Sequence, residues 1–233
     1  MVTQAVILAG GLGTRLRPIT YRLPKSMVDI GGEPFLSHLV RWLGSQGIER
    51  VLLCIGYLGE VIERYFGDGA PFGVRIEYAK EQEPMGTGGA LKLASPFLHE
   101  SFVVLYGDSF VPIRIGSPAS FFSARDCLGM ITVYENRPKI AENNVRLEPD
   151  GRITCYDKTS SASNLNGVEA GVTFLRREAL NHLPPGRSSM EQHLFPQLIR
   201  MGQLIGYPTP ERFWDIGTPE GLEAARRHLC DAH

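Results

Sequence analysis

Apolar runs and helix-periodic stretches alternate along the first hundred residues. Ala5 to Ala9 reads as a buried strand, and Phe35, Leu36, Leu39, Val40 and Leu43 then recur at helical spacing as far as Gly47. Val51 to Ile55 repeats the strand pattern. Residues 57–66 form a short amphipathic helix stopped by Gly67-Asp68-Gly69, and Val74 to Tyr78 is a third strand. This β-α-β-α-β order predicts a parallel sheet with helices on both faces. A helix is expected from near Gly88, and Ser101 to Gly107 is a fourth apolar strand running into Asp108. Residues 117–127 predict a helix and Met130 to Tyr134 a strand.

The pattern then shortens. Val145 to Leu147 and Ile153 to Tyr156 flank Pro149-Asp150-Gly151 and read as a β-hairpin, residues 159–166 as a polar loop, and Val168 to Leu175 as a strand. Ser188-x-x-Glu191 has capping-box spacing before a helix running to about Arg200. Leu204 to Tyr207 is a last strand, and Thr218 as N-cap with Pro219 behind it opens the final helix. The expected class is α/β, a Rossmann-like, mostly parallel central sheet flanked by helices, with a smaller β-rich part.

In such sheets ligands lie beyond the carboxyl ends of the strands. The first strand ends there in Gly10, Gly11 and Gly13, followed by Thr14, Arg15, Arg17 and Lys25. Backbone N–H groups freed by glycines can wrap an anion, and basic side chains beside them reinforce the site. The partner implied is a polyphosphate. Two familiar glycine motifs do not apply. The P-loop needs Gly-Lys-Ser/Thr where this chain has Arg15 and Leu16, and the dinucleotide fingerprint needs a third glycine where Leu16 stands. Asp108 is a second marked position, because a carboxylate at the end of a central strand is costly unless it binds something or caps a turn.

Composition narrows the classes. The chain has 233 residues, enough for one sizeable domain, with 43% hydrophobic and 21% charged residues. A net charge of −1 offers no basic field, so nucleic acid is not an expected partner. Cys54, Cys127, Cys155 and Cys230 are scattered without a C-x-x-C pair, and the six histidines, His193 among them, show no metal-ligand spacing. Three of the cysteines sit in apolar runs and read as small core residues of a reducing compartment. No leader and no bilayer-length apolar run is visible, so a cytoplasmic protein without a membrane partner is expected, as a monomer or a homo-oligomer.

The spacing Gly10-Gly11-Leu12-Gly13-Thr14-Arg15-Leu16, with Pro18, Thr20 and Pro24-Lys25, resembles the opening of the sugar-1-phosphate nucleotidyltransferases. Later motifs extend the resemblance over essentially the whole chain. It implies the nucleotide-diphospho-sugar transferase (GT-A-like) fold, a single domain with a nucleotide half (1–110) and a sugar-phosphate half (111–233), and a role in nucleotide-sugar biosynthesis for cell-surface polysaccharides. Glu83-Pro84-Met85-Gly86-Thr87-Gly88-Gly89-Ala90 is most similar to the branch that uses GTP, including the heptose-1-phosphate and mannose-1-phosphate guanylyltransferases.

By this resemblance Leu8, Ala9, Gly10, Gly11, Gly13, Thr14 and Arg15, with Glu81, Met85, Gly86, Thr87 and Gly88, hold the nucleotide. Glu81 could accept from the paired N1–H and N2–H of guanine, although glycine N–H groups would serve any base. Arg15, Lys25 and Asp108 are the implied catalytic residues, and Asp108 and Asp215 the implied Mg²⁺ ligands. Asp215 lies in Trp214-Asp215-Ile216-Gly217-Thr218-Pro219, where tryptophan and aspartate are adjacent as in the guanylyltransferase-like branch.

Lys158 matches the lysine that grips the sugar phosphate, although Asp157 and Thr159 depart from the family's usual Glu-Lys-Pro. Asn144, with Asn143 beside it, together with Glu169 and Gly171, falls where relatives touch the sugar. Glu169 is itself a departure, but a carboxylate can accept from two vicinal hydroxyls. Other bases, a phosphocholine acceptor, or a nucleotide-sugar sensor without catalysis stay open at this stage. No hexapeptide repeats follow the last helix, so the acyltransferase domain of some relatives is not expected.

Overall fold

The computed structural model describes residues 2–159 and 161–230, with side chains as far as Leu229. Seven strands form one sheet: β1 (Gln4–Leu8), β2 (Arg50–Ile55), β3 (Arg75–Lys80), β4 (Ser101–Tyr106), β5 (Gly129–Tyr134), β6 (Val168–Arg176) and β7 (Leu204–Thr209). Their order across it is β7-β5-β6-β4-β1-β2-β3. β1, β2 and β3 run parallel, as do β5 and β7, whereas β6 is antiparallel to β5. The helices are α1 (Phe35–Ser45), α2 (Gly59–Phe66), α3 (Gly86–Ala94), α4 (Gly116–Ser123), α5 (Phe195–Arg200) and α6 (Pro219–Cys230). The expected mostly parallel, helix-flanked sheet is therefore present. No helix among the described residues is long and apolar enough to cross a membrane.

By their contacts the residues form two compact units, each assembled from separate stretches of chain. One holds Thr3–Pro84, Leu105–Phe110 and the described chain from 214 to 230; the other holds Val2, Met85–Val104 and the described residues of Val111–Phe213.

In the first unit, Ala5, Val6 and Ile7 of β1 and Leu52 and Leu53 of β2 are fully buried. Parallel strands covered on both faces need such unbroken apolar runs, because no solvent face is left for polar residues. Phe35, Leu36, Leu39, Val40 and Leu43 on α1 are equally buried, each worth about 1.5–3 kcal/mol relative to exposure. The helix gives way at Gly47, whose φ of +82° suits glycine.

In the second unit every residue of β5 is buried. Its register with β6 shifts between Glu169 and Thr173, where Gly171 takes φ +90°. Bulges of this kind bend a strand and re-aim a side chain, here Glu169, whose carboxylate accepts the Gly171 N–H at 2.8 Å. The hairpin of Val145–Leu147 and Ile153–Tyr156 forms as expected, with a bulge of its own. It lies along β7. The Gly206 N–H donates to the Gly151 carbonyl at 2.8 Å, and Arg152 bridges Ile205. A Cβ at Gly206 would come within 2.6 Å of Leu147 and 2.8 Å of Ile153, so the close approach depends on glycine.

Two expected helices are shorter than their patterns. α4 ends at Ser123 rather than 127, where the Arg125 guanidinium donates to the Phe121 carbonyl and closes the last turn. The stretch before Arg200 begins as a wide π-type turn, Met190–Leu194, before α5. Pro196 has no N–H for the carbonyl four residues back, so an α-helix cannot run through it undisturbed.

Candidate active site

The glycine loop leaves β1 where the Ala9 N–H still donates to the Cys54 carbonyl of β2 at 2.8 Å. Gly13 then turns left-handed at φ +60°, and the Thr20 hydroxyl donates to its carbonyl at 2.8 Å. Thr14 and Arg15 follow in a single 3₁₀ turn, Thr14–Leu16. Gly10 faces the Glu81 carboxylate so closely that a Cβ there would collide with it. Gly10, Leu12, Gly56, Tyr57 and Glu81 to Pro84 line a cavity of about 210 Å³. Two glutamates, Glu81 and Glu83, thus line this pocket, with Glu81 against the backbone of Gly10.

Lys25, in the turn Lys25–Met27, reaches the carboxylates at the ends of two distant segments. Asp108 follows β4, and the ribbon Trp214–Asp215 pairs antiparallel with Ser109–Phe110, with Asp215 opposite Ser109. The Lys25 ammonium bonds directly to the Asp108 carboxylate and stands 3.8 Å from Asp215 Oδ1; its side chain is only 12% exposed. The Gly217 N–H donates to Asp215 Oδ1 at 2.6 Å. A Cβ at Gly217 would lie 2.8 Å from Lys25 Nζ and 2.9 Å from an Arg15 guanidinium nitrogen, so Arg15 converges on the same point. Burial and the neighbouring Asp108 charge push the Asp215 carboxyl up, and Lys25, the Gly217 N–H and Arg15 partly offset this.

Two carboxylates are thus held side by side with two cations against them. Mg²⁺ takes one or two protein carboxylates and completes its shell with water and phosphate oxygens, so this donor pair fits it. No group of three or more potential ligands occurs among the described residues.

The second unit carries the other expected residues. Met85 to Gly88 open α3, but much of their backbone is already engaged. The Ser188 carbonyl accepts from Gly88 and Gly89 N–H, and the Ser188 N–H donates to Met85. At Gly86 a Cβ would come 2.5 Å from the Ser188 carbonyl oxygen. The glycines here let two backbones touch, and the Gly88 N–H is spent within the protein. The Thr87 hydroxyl donates to Glu191 Oε2 at 2.8 Å and accepts the Met190 N–H at 2.8 Å.

Lys158 donates to Glu191 Oε1 at 3.1 Å. Burial would raise the Glu191 carboxyl, but the Lys158 ammonium and the Ser189 and Thr87 hydroxyls outweigh that and hold it at about 2. Glu169 goes the other way, to about 7. Burial and the Glu191 charge raise it more than Lys158 and the Gly171 N–H lower it. Asn144 Oδ1 accepts the Glu169 N–H at 2.8 Å, so Asn144 shapes this bulge.

The expected capping box is corrected by one residue. The cap is Ser189, whose Oγ accepts the Gln192 N–H at 3.2 Å, and Glu191 turns inward to Lys158 and Thr87. Two adjacent serines make this register ambiguous in sequence. Glu191 and Gly217 are the residues sequence reasoning passed over as site members, although both lie in motifs it had noted. Cys54 and Cys127 are buried as expected, Cys155 is half-buried, and the Cys230 side chain lies outside the described residues. His193 is exposed, with Nδ1 against the Ser189 backbone.

A glycine loop beside paired aspartates, on this sheet, fits the class of nucleotide-binding α/β proteins. The chain belongs to the nucleotidyl transferase family, whose model matches residues 4–232. It is 42% identical over 217 residues to the D-glycero-alpha-D-manno-heptose 1-phosphate guanylyltransferase of Campylobacter jejuni, covering 93% of this chain and 96% of that protein. It is 34% identical over 222 residues to the mannose-1-phosphate guanylyltransferase of Mycobacterium tuberculosis, covering 93% of this chain but only 62% of that longer protein. The fold is that of the nucleotide-diphospho-sugar transferases. HddC from Yersinia pseudotuberculosis complexed with GMP-PN superposes with a TM-score of 0.81 at 28% identity, over 98% of this chain and 100% of that one.

Proposed function

We propose that this nucleotidyltransferase moves GMP from GTP to a manno-configured sugar 1-phosphate, a heptose or mannose 1-phosphate, releasing pyrophosphate. The observation that carries the reaction class is the convergence of Arg15, Lys25, Asp108 and Asp215 beside the glycine loop. The base and the sugar rest on the relatives' names and on Glu81 in its cavity, where a carboxylate suits guanine N1–H and N2–H.

The sugar phosphate needs no protein base, because its second pKa is about 6 and it is largely dianionic near neutrality. One of its oxygens attacks the α-phosphorus of GTP in line. The new P–O bond joins sugar phosphate to GMP, and the bond to the β-phosphate breaks with its electron pair leaving on pyrophosphate. The protein's work is positioning and charge neutralisation. Arg15 and the loop N–H groups hold the β- and γ-phosphates, Lys25 the α-phosphate, and Lys158 the sugar phosphate. Mg²⁺, held by Asp108 and Asp215, would neutralise charge on the phosphate oxygens.

The test is pyrophosphate release with Mg²⁺ across five nucleoside triphosphates and several sugar 1-phosphates, with phosphocholine included. Turnover confined to GTP with a heptose or mannose phosphate is expected, and EDTA should abolish it. A different active pair would discard the role of Glu81 and keep the mechanism. Metal-independent nucleotide binding without turnover on any acceptor would mark a sensor and sink the reading.

A further inference from the structure

We propose that Glu191 is a positioning residue, which fixes the Lys158 ammonium for the substrate's phosphate and ties that lysine to the 85–89 loop. The inference rests on Lys158 being the sugar-phosphate anchor. Burying a carboxylate is costly unless it is paired and hydrogen-bonded. The Glu191 side chain is 5% exposed, and its two oxygens are divided between different segments. Oε1 takes the Lys158 ammonium, while Oε2 takes the hydroxyls of Thr87 and Ser189. The cap of this turn is Ser189, whose Oγ accepts the Gln192 N–H, so Glu191 is not needed for that bond.

The Lys158 side chain is 58% exposed. An ammonium has three protons, and Glu191 engages one of them, so an incoming phosphate can meet the others. A free lysine side chain loses rotamer entropy when a ligand immobilises it, and a buried partner removes part of that cost before the substrate arrives. Thr87 completes the linkage. Its hydroxyl is held by the Met190 N–H on one side and holds Glu191 on the other. A displacement of the loop at Thr87 is thereby passed to the oxygen pair that sets Lys158.

Glu191→Gln keeps the shape and presents a neutral amide to Lys158. The expected result is a KM for the sugar 1-phosphate raised about tenfold, with kcat and the KM for GTP within about threefold of wild type. Lys158→Met should raise the same KM, and the double variant should be no worse than Lys158→Met alone, because the two act as one unit. Glu191→Asp keeps the charge with a shorter reach and should fall between; it also serves if the glutamine variant fails to fold. Wild-type sugar-phosphate KM in Glu191→Gln, or strictly additive effects, alongside a raised KM in Lys158→Met, would overturn the positioning role alone. An unchanged KM in Lys158→Met would remove the anchor and the proposal with it.

Discussion

Lys25 is the residue on which the charge balance of the first unit turns. It is nearly buried and faces two carboxylates, so replacing it leaves Asp108 and Asp215 against each other with Arg15 as the remaining cation. Lys25→Ala should fold, with an unchanged circular dichroism spectrum, and lose at least about 10²-fold in turnover, the scale for deleting one preorganised electrostatic group. Gly217→Ala approaches the same cluster by crowding. Its new methyl would press on Lys25, Arg15 and the Asp215 carboxylate together, so turnover should fall with little change in melting temperature. A variant as active as wild type would show that those side chains yield without cost. Arg15 and Asp108 stood out in sequence because one follows a glycine turn and the other the end of a strand, whereas the roles of Lys25 and Asp215 were marked only by the family resemblance. Glu191 was not legible, because its partners Thr87 and Lys158 are remote in the chain and its spacing from Ser188 has a local explanation.

Among elements, the bulge in β6 has the clearest solution signature. It holds Glu169 with its carboxyl at about 7 against an ordinary 4.5. The folded state therefore retains a proton that the unfolded chain gives up, and stability falls as pH rises from about 4.5 to 7. Glu169→Gln should flatten that decline in denaturant melts at pH 5 and pH 8; an unchanged slope would place the charge elsewhere. The final helix makes a simpler case. The Thr218 hydroxyl accepts the Gly221 N–H at 3.1 Å, and Thr218→Ala should cost about 1 kcal/mol by urea titration, as N-caps do. The start of α6 could be read from Thr218-Pro219 alone because capping is local. The β6 bulge could not, since it is defined by register against β5, and nothing in Val168 to Leu175 states which residue is left unpaired.

For the molecule as a whole, Glu191 and Glu169 set opposing limits. Glu191, held at about 2, contributes stability that is complete above about 4.5 and lost as pH falls toward 2. With Glu169 acting in the other direction, these two groups favour a stability maximum near pH 4.5 to 5. A melting-temperature profile from pH 3 to 9 checks this; a maximum above pH 8 would contradict it. The β-α order and the parallel sheet were legible because apolar runs and helical periods are properties of single segments. The division into units was not, because each is assembled from stretches far apart in sequence, as where Trp214–Asp215 pairs with Ser109–Phe110. The hairpin on β7 carries a different kind of consequence. β7 is the last strand of its sheet, and the hairpin's turn occupies the Gly206 N–H while Pro208 has no N–H to offer. An unguarded outer strand invites copies to stack edge to edge. The fold thus keeps that margin closed to fibre growth at the crowded concentrations of a living cell, and a chain trimmed at residues 148–152 should be the one that clouds its solution first.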